Sequence, residues 1–291
     1  MRIAVFGATG TIGAALLPVL AENHVVVGIS RGARADADGI EWRQADAIDA
    51  EAVRRVLEGV EVAYYLVHSL GSADFEDRDL RAASTLAAEA EHAGVRQLIY
   101  LGGLGDDEAE LSPHLRSRIE TGRRLETGAV PVTTLRAAIV VGPGSAAFET
   151  VVALVDRLPA MVCPRWVGVP TQPIALRDTI AYLAGVCGRE EALGHSYDIG
   201  GPEVMTYREM IERIAKLRGK RPLIVEVPFL TPRLSSYWLH LVTPVKAAVA
   251  RPLIEGLRAP TVARDHEIAA LVPLDATPFD EAAGLALEGK I

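Results

Sequence analysis

The segment GATGTIG at residues 7–13 places glycines at positions 7, 10 and 13, directly after the short apolar run RIAVF. The residues that follow, up to Asn23, have helical spacing. A strand that ends in a tight glycine turn and continues into a helix offers backbone N–H groups to a pyrophosphate. The alternative is a glycine-rich turn without a ligand, but this context favours a dinucleotide site with the contacts Gly7, Thr9, Gly10, Thr11, Ile12 and Gly13.

Strand-like and helix-like runs alternate over the first half of the chain. This order predicts an α/β protein with a Rossmann-type, doubly wound parallel sheet. After the first strand, the further strands are expected at 24–30, 39–46, 61–69, 96–103 and 130–144.

The alternation loosens after Gly144. Proline-rich pieces at 159–173 and 222–260 enclose a helix near Asp178, a strand-like SYDIGG and a helix at 206–219. We expect a cofactor domain at 1–144 and mostly a smaller substrate-binding cap at 145–291, with segments of 171–201 returning to the main sheet. A substrate would bind in the cleft between the two.

Composition excludes several classes of protein. A net charge of −8 argues against a nucleic-acid partner. The two cysteines are far apart and lie near no histidine cluster, which indicates reduced thiols and a cytoplasmic location. No secretory signal is visible. The apolar segment 229–254 contains three prolines and three basic residues, so a membrane span is not expected.

The end of the second strand indicates which dinucleotide is bound. Ser30, Arg31 and Arg34 stand there, and the first carboxylate is Asp36. Guanidinium groups suit a 2′-phosphate, whereas binders of NAD usually present an acidic residue to the ribose. NADP(H) is therefore the expected cofactor, although Arg31 could also be a solvated loop residue.

Further cofactor contacts are expected at the carboxyl ends of the strands, which face the ligand in such sheets. Asp46 is placed to meet the adenine amino group, or to cap the helix that follows it. The other contacts assigned to these strand ends are Ala47, Val67, His68 and Gly102.

The chain resembles the atypical or extended short-chain dehydrogenases/reductases, of the NmrA-like, NAD(P)H-binding sort. The resemblance spans nearly the whole chain, and similar bacterial proteins include relatives of an accessory subunit of respiratory complex I. It rests on the motifs GATGTIG, YYLVHS, IYLGG, LRAAIVVGPGS, TQPIALRDTIAYL and YDIGGPEVMTYREM.

The resemblance implies a catalytic Ser, a Tyr and a Lys four residues after the Tyr, and this chain departs from all three. Gly102 and Gly103 stand in the Ser region, His114 in the position of the Tyr and Arg118 in that of the Lys. None of the seven tyrosines has Lys or Arg four positions later.

His114, Arg118 and His68 are therefore the candidate catalytic residues. Arg118 could donate to ribose hydroxyls but could not lose its proton in a relay. A histidine can donate a proton near neutral pH. The alternatives are a surface role for His114, on a helix starting at Ser112 and Pro113, and a structural role for His68.

These features predict an NADP(H)-dependent oxidoreductase that reduces a small or medium carbonyl, enone, imine or quinone-like compound. The proton would come from His114, His68 or water. The alternatives are a non-catalytic NADP(H)-binding regulator of the NmrA type and a structural subunit with bound NADPH. The expected partner is a small-molecule substrate, no metal is expected, and a homo-oligomer is left open.

Overall fold

The computed structural model describes residues 1–68, 75–105, 112–227 and 259–291. Within these ranges the strands are β1 Arg2–Phe6, β2 Val25–Ser30, β3 Ile40–Gln44, β4 Val62–Tyr65, β5 Gln97–Gly103, β6 Val132–Ala137, β7 Val140–Val141, β8 Ala160–Pro164, β9 Pro170–Thr171, β10 Ile174–Ala175, β11 Ser196–Ile199, β12 Met205–Thr206 and β13 Leu223–Val227. The helices are α1 Thr11–Ala21, α2 Ala50–Val56, α3 Phe75–His92, α4 Pro113–Leu125, α5 Ala146–Arg157, α6 Leu176–Gly185, α7 Tyr207–Leu217, α8 Ile268–Leu271 and α9 Phe279–Leu287.

Seven strands form one parallel sheet in the order β11-β6-β5-β4-β1-β2-β3. From β1 the chain builds outward to β2 and β3, then returns to the other side of β1 with β4. The strand order therefore reverses between β1 and β4. Ligands of such sheets bind at this reversal, outside the carboxyl ends of the strands. The predicted Rossmann-type, doubly wound fold is confirmed.

The two faces of the sheet bury separate apolar clusters. Tyr64 and Tyr65 are consecutive on β4, are fully buried and point to opposite faces, as a strand requires. The cluster around Tyr64 includes residues of α1 and α6, and the cluster around Tyr65 includes residues of α2, α3 and α4. Helices thus cover both faces, which is why β4 and β5 read as continuous apolar runs.

The second half of the chain has an apolar cluster of its own. Phe148 of α5, Met210 and Ile214 of α7 and Phe279 of α9 are buried in it. In contrast, β11 pairs with β6 in the main sheet. The division of the chain at residue 144 stays a prediction. The segment 229–254 lies outside the described residues, as does the Trp166 side chain.

Two strand predictions were wrong in their extent. The fourth strand ends at Tyr65 rather than at residue 69, and the chain then passes closely over Gly7. The segment 130–144 forms two strands, and the second of them, β7, pairs with β10 outside the main sheet. In the ranges that the structure describes, no helix is long and apolar enough to cross a bilayer.

Gln97 ties three elements together at the amino end of β5. Its amide nitrogen donates to the Thr133 hydroxyl at 2.8 Å and to the Val186 carbonyl at 3.1 Å. Its amide oxygen accepts from the Gly188 N–H at 2.7 Å. The residue is buried, so water cannot replace these bonds.

We expect Gln97→Met to lower the free energy of unfolding by about 2–4 kcal/mol, because it removes three hydrogen bonds made by a buried side chain. Urea titration followed by far-ultraviolet circular dichroism measures the change. Gln44→Met, at an exposed position of β3, is the control and should cost less than about 1 kcal/mol. Equal losses in the two variants would contradict this account of Gln97.

Candidate functional site

The three glycines of the first turn have three different roles in the structure. Gly7 adopts a positive φ of 85°, and a Cβ there would lie 2.6 Å from the Leu66 backbone. A Cβ on Gly13 would lie 2.3 Å from the Gly7 carbonyl oxygen. A Cβ on Gly10 would meet only that same oxygen, at 3.3 Å, so the space beyond Gly10 is open. A tight turn, a close helix–strand contact and an open approach are what a pyrophosphate cradle needs.

The amino end of α1 faces this open space. Its N-cap is Gly10, which supplies no side-chain hydrogen bond. The first N–H groups of a helix have no partners within the helix and carry a partial positive charge. Backbone N–H groups of Thr11, Ile12 and Gly13 are therefore placed to bind an anion. These residues fit the phosphates of a dinucleotide.

A cavity of about 510 Å³ extends from the glycines toward the ends of β2 and β3. Of the contacts predicted at the ends of β2, β3 and β4, all except Arg34 are among the described residues of its walls. The residues that line it include Gly7, Thr9, Gly10, Ser30, Arg31, Asp46, Ala47, Val67, His68 and Arg78.

Arg31 and Arg34 differ in their surroundings. Arg31 lines the cavity and is exposed. Arg34 is not among the described residues of the cavity wall, and its guanidinium lies 5.0 Å from the centre of the Trp42 ring. The nearby carboxylate of Asp36 accepts from the Trp42 backbone N–H at 2.7 Å. Arg31 rather than Arg34 thus lines the cavity, and Asp36 is engaged by the backbone of β3.

Asp46 is held by Arg78, whose guanidinium lies 2.6 Å from its carboxylate. The alternative role predicted for Asp46, capping α2, is wrong. Asp49 is the N-cap, and its side chain accepts from the Ala52 N–H. Sequence reasoning missed Arg78, a second guanidinium on the cavity wall. A basic residue in the first turns of a helix is unfavourable for the helix dipole, and this was an available signal.

A second cavity, of about 480 Å³, lies on the other side of the glycines. Its walls are mostly apolar, and they combine the first turn of α1 with α4 and with parts of the second half of the chain. The predicted site residues among them are Gly7, Gly10, Thr11, Ile12, Gly13, His68, Gly102, His114 and Arg118. His68 lines both cavities.

The structure brings the two candidate histidines together. His68 Nε2 lies 3.2 Å from His114 Nδ1, and the ring centres are 4.9 Å apart. His68 Nδ1 lies 2.8 Å from the carboxylate of Asp79, which is only 2% exposed. Asp79 lies on α3. Its contact with His68 depends on the path of the chain after β4 and has no local sequence signal.

Both histidines are neutral in this environment at neutral pH. Burial, together with the neighbouring His68 and Arg118, lowers the pKa of His114 to about 3. Burial also lowers the pKa of His68, although its hydrogen bond to Asp79 acts in the opposite direction. His114 on its own is therefore a poor store of a proton.

Arg118 is placed one turn after His114 on α4, as the motif predicts. Its guanidinium lies 5.0 Å from the centre of the Tyr100 ring and donates to the Leu101 carbonyl. The Ser112 hydroxyl accepts from the Leu115 N–H at 3.2 Å, so the predicted start of α4 is confirmed. Within the described ranges, no group of three His, Cys, Asp or Glu residues could hold a metal ion.

A sequence family described as NAD(P)H-binding matches residues 7–128. One relative is the (4-alkanoyl-5-oxo-2,5-dihydrofuran-3-yl)methyl phosphate reductase of Streptomyces griseus, 28% identical over 77% of this chain and 76% of that protein. Another is the NADH dehydrogenase [ubiquinone] 1 alpha subcomplex subunit 9 of Arabidopsis thaliana, 24% identical over 77% of this chain. The match spans 60% of the length of the Arabidopsis protein.

Solved structures share the fold over nearly the whole chain. The NADPH-dependent quinone oxidoreductase QOR2 of Escherichia coli, complexed with NADPH, has a TM-score of 0.76 at 21% identity and covers 97% of this chain and 98% of its own. The triphenylmethane reductase of Citrobacter sp., complexed with NADP(H), has a TM-score of 0.76 at 19% identity and covers 98% of this chain and 100% of its own. Residues 7–128 thus match an NAD(P)H-binding family, and the solved structures show the same fold over nearly the whole chain.

Proposed function

We propose that this protein is an NADP(H)-dependent oxidoreductase that reduces a small or medium carbonyl, enone, imine or quinone-like compound. The observation that carries the proposal is the contact between His68 and His114 beside the glycine cradle, 3.2 Å from ring nitrogen to ring nitrogen. Two groups that exchange protons thus line a mostly apolar cavity next to the predicted cofactor site. The reductases among the relatives and structural neighbours support the same class of reaction.

NADPH bound at the cradle would supply a hydride, and the protein has to supply position and a proton. The apolar wall of the second cavity would hold the carbon skeleton of a substrate. Tyr207 and Thr261 place hydroxyl groups on the same wall, where a polar part of the substrate could be held. The histidine pair provides the ring nitrogens that a developing alkoxide or amine needs as a proton source.

The second candidate is a non-catalytic NADP(H)-binding regulator, or a structural subunit with bound NADPH. The replacement of the Tyr–Lys pair by His114 and Arg118 favours this candidate. The similarity to the Arabidopsis NADH dehydrogenase subunit points in the same direction. Cofactor binding is common to all these candidates, so only turnover separates them.

The first prediction concerns the choice of cofactor. We expect NADPH to bind at least about tenfold more tightly than NADH, since Arg31 offers a guanidinium to the 2′-phosphate and Asp36 is held by the backbone of β3. Arg31→Asp should remove most of this preference by weakening NADPH alone. Fluorescence titration with both dinucleotides measures it.

Arg34→Asp is the matched control, because it makes the same charge change three residues away, where the side chain lies on Trp42. It should keep the preference for NADPH within about threefold, because the Arg34 guanidinium lies over the Trp42 ring and Arg34 is not among the described residues that line the cavity. An equal loss in both variants would mean that overall charge, and not Arg31, selects the cofactor.

The second prediction concerns turnover. A panel of ketones, enones, imines and quinones should contain a compound that oxidises NADPH above the buffer rate. With that compound, His114→Phe should lower kcat by roughly 10²–10⁴-fold and leave NADPH affinity nearly unchanged, because it removes a proton donor and no phosphate contact. Absorbance at the NADPH band gives the rate.

His92→Phe, on an exposed face at the end of α3, is the control and should retain full activity. Tight NADPH binding with no turnover across the panel would support the regulator instead. A loss of less than about tenfold in His114→Phe would leave the oxidoreductase standing and assign the proton to water.

A further inference from the structure

Asp79, His68 and His114 lie in one hydrogen-bonded line. The Asp79 carboxylate contacts His68 Nδ1 at 2.8 Å, and His68 Nε2 contacts His114 Nδ1 at 3.2 Å. The three residues come from α3, from the segment after β4 and from the first turn of α4. The line begins at a buried carboxylate and ends at a ring that lines the second cavity.

The position of each hydrogen follows from what each group can donate. An ionised carboxylate only accepts, so Nδ1 of His68 carries a hydrogen. In the neutral ring, Nε2 of His68 then accepts, and Nδ1 of His114 must be the donor of the 3.2 Å contact. The remaining nitrogen, Nε2 of His114, is left as an acceptor. Both rings thus occupy the Nδ1–H tautomer.

One added proton reverses this arrangement without breaking a hydrogen bond. His68 then carries hydrogens on both nitrogens, with its positive charge against Asp79 at 2.8 Å. Its Nε2–H donates to Nδ1 of His114, and His114 becomes the Nε2–H tautomer. His114 therefore changes from an acceptor to a donor and stays neutral in both states.

We propose that these residues form a proton relay in which His68, paired with Asp79, holds the proton and His114 passes it from Nε2 to the substrate. The relay rests on the proposed function and deepens it, because it assigns the proton donor. His68 and His114 act together in it, and Asp79 is a positioning residue that does not touch the substrate.

The transfer balances as follows. The substrate carbon accepts a hydride, and the electron pair of its double bond moves to the oxygen or nitrogen. That atom takes the proton from Nε2 of His114, while the proton on Nε2 of His68 moves to Nδ1 of His114. Asp79 stays ionised throughout. A proton from solvent returns the line to its charged state before the next turnover.

The groups that act on the stored proton come from two helices. Asp79 of α3 favours the charged state of His68, whereas Arg118 of α4 opposes it and His114 of α4 accepts its hydrogen bond. Burial also opposes the charge. The pKa of His68 in the relay therefore lies below the ordinary histidine value of about 6.5. Because only the charged state donates, the rate of reduction should fall as pH rises through that lower value.

The first test needs no substrate. Two-dimensional ¹H–¹⁵N spectra of the histidine rings, assigned with His68→Gln and His114→Gln, report which nitrogen of each ring carries hydrogen. At about pH 8 both rings should be in the Nδ1–H tautomer, which is the minor form of free histidine. Asp79→Asn replaces a group that only accepts with an amide that can also donate, so neither ring should be held in that one tautomer.

Glu89→Gln is the matched control, since Glu89 is also a buried carboxylate of α3 but pairs with Arg54. It should leave both tautomers unchanged. An Nε2–H tautomer on either ring of the unmodified protein at this pH would overturn the relay, whether or not the protein is an enzyme. If His114 kept the same tautomer in Asp79→Asn, that result would also overturn the relay.

The second test uses the pH dependence of kcat with a substrate found in the panel. Asp79→Asn should move the fall in rate to lower pH by about one unit or more. Asp79→Glu keeps the charge, so the fall should stay close to its position in the unmodified protein. Glu89→Gln should not move it. A purely structural Asp79 would lower the rate equally at every pH, and that result would overturn the relay while leaving the oxidoreductase intact.

Discussion

The approach of the chain to Gly7 is the constraint on which the site depends. No side chain fits between Gly7 and the Leu66 backbone, where a Cβ would lie at 2.6 Å. At this close approach the chain has left β4 after Tyr65, and His68 follows at the border of the two cavities. The same glycine opens the amino end of α1. One backbone contact therefore positions both the phosphate cradle and the first histidine.

Much of this architecture could be predicted from the sequence, because local patterns determine it. The glycine spacing, the alternation of strands and helices and the start of α4 at Ser112 all depend on residues close together in the chain. The extent of β4 could not be predicted this way. Its apolar run continues past Tyr65, and only the packing on Gly7 shows where the strand ends.

The chemistry of the site was harder to predict, because it depends on pairs distant in sequence. His68 and His114 were each identified as candidates, but their contact requires the folded sheet to bring β4 beside α4. Asp79 looks like any polar residue of an amphipathic helix until His68 is placed against it. Arg31 and Arg34 are alike in sequence, and only the Trp42 ring separates their roles. These are tertiary contacts without a local pattern.

The hydroxyl of Thr11 links two distant parts of the chain. It donates to the Gly144 carbonyl at 2.8 Å, so the first turn of α1 is fastened to the turn that leads into the second half of the chain. Gly144 has a positive φ of 78°, and a Cβ there would lie 3.0 Å from the Thr11 hydroxyl oxygen. A side chain at residue 144 would therefore press on the first turn of α1, so the turn after β7 and the anion-binding end of α1 constrain each other.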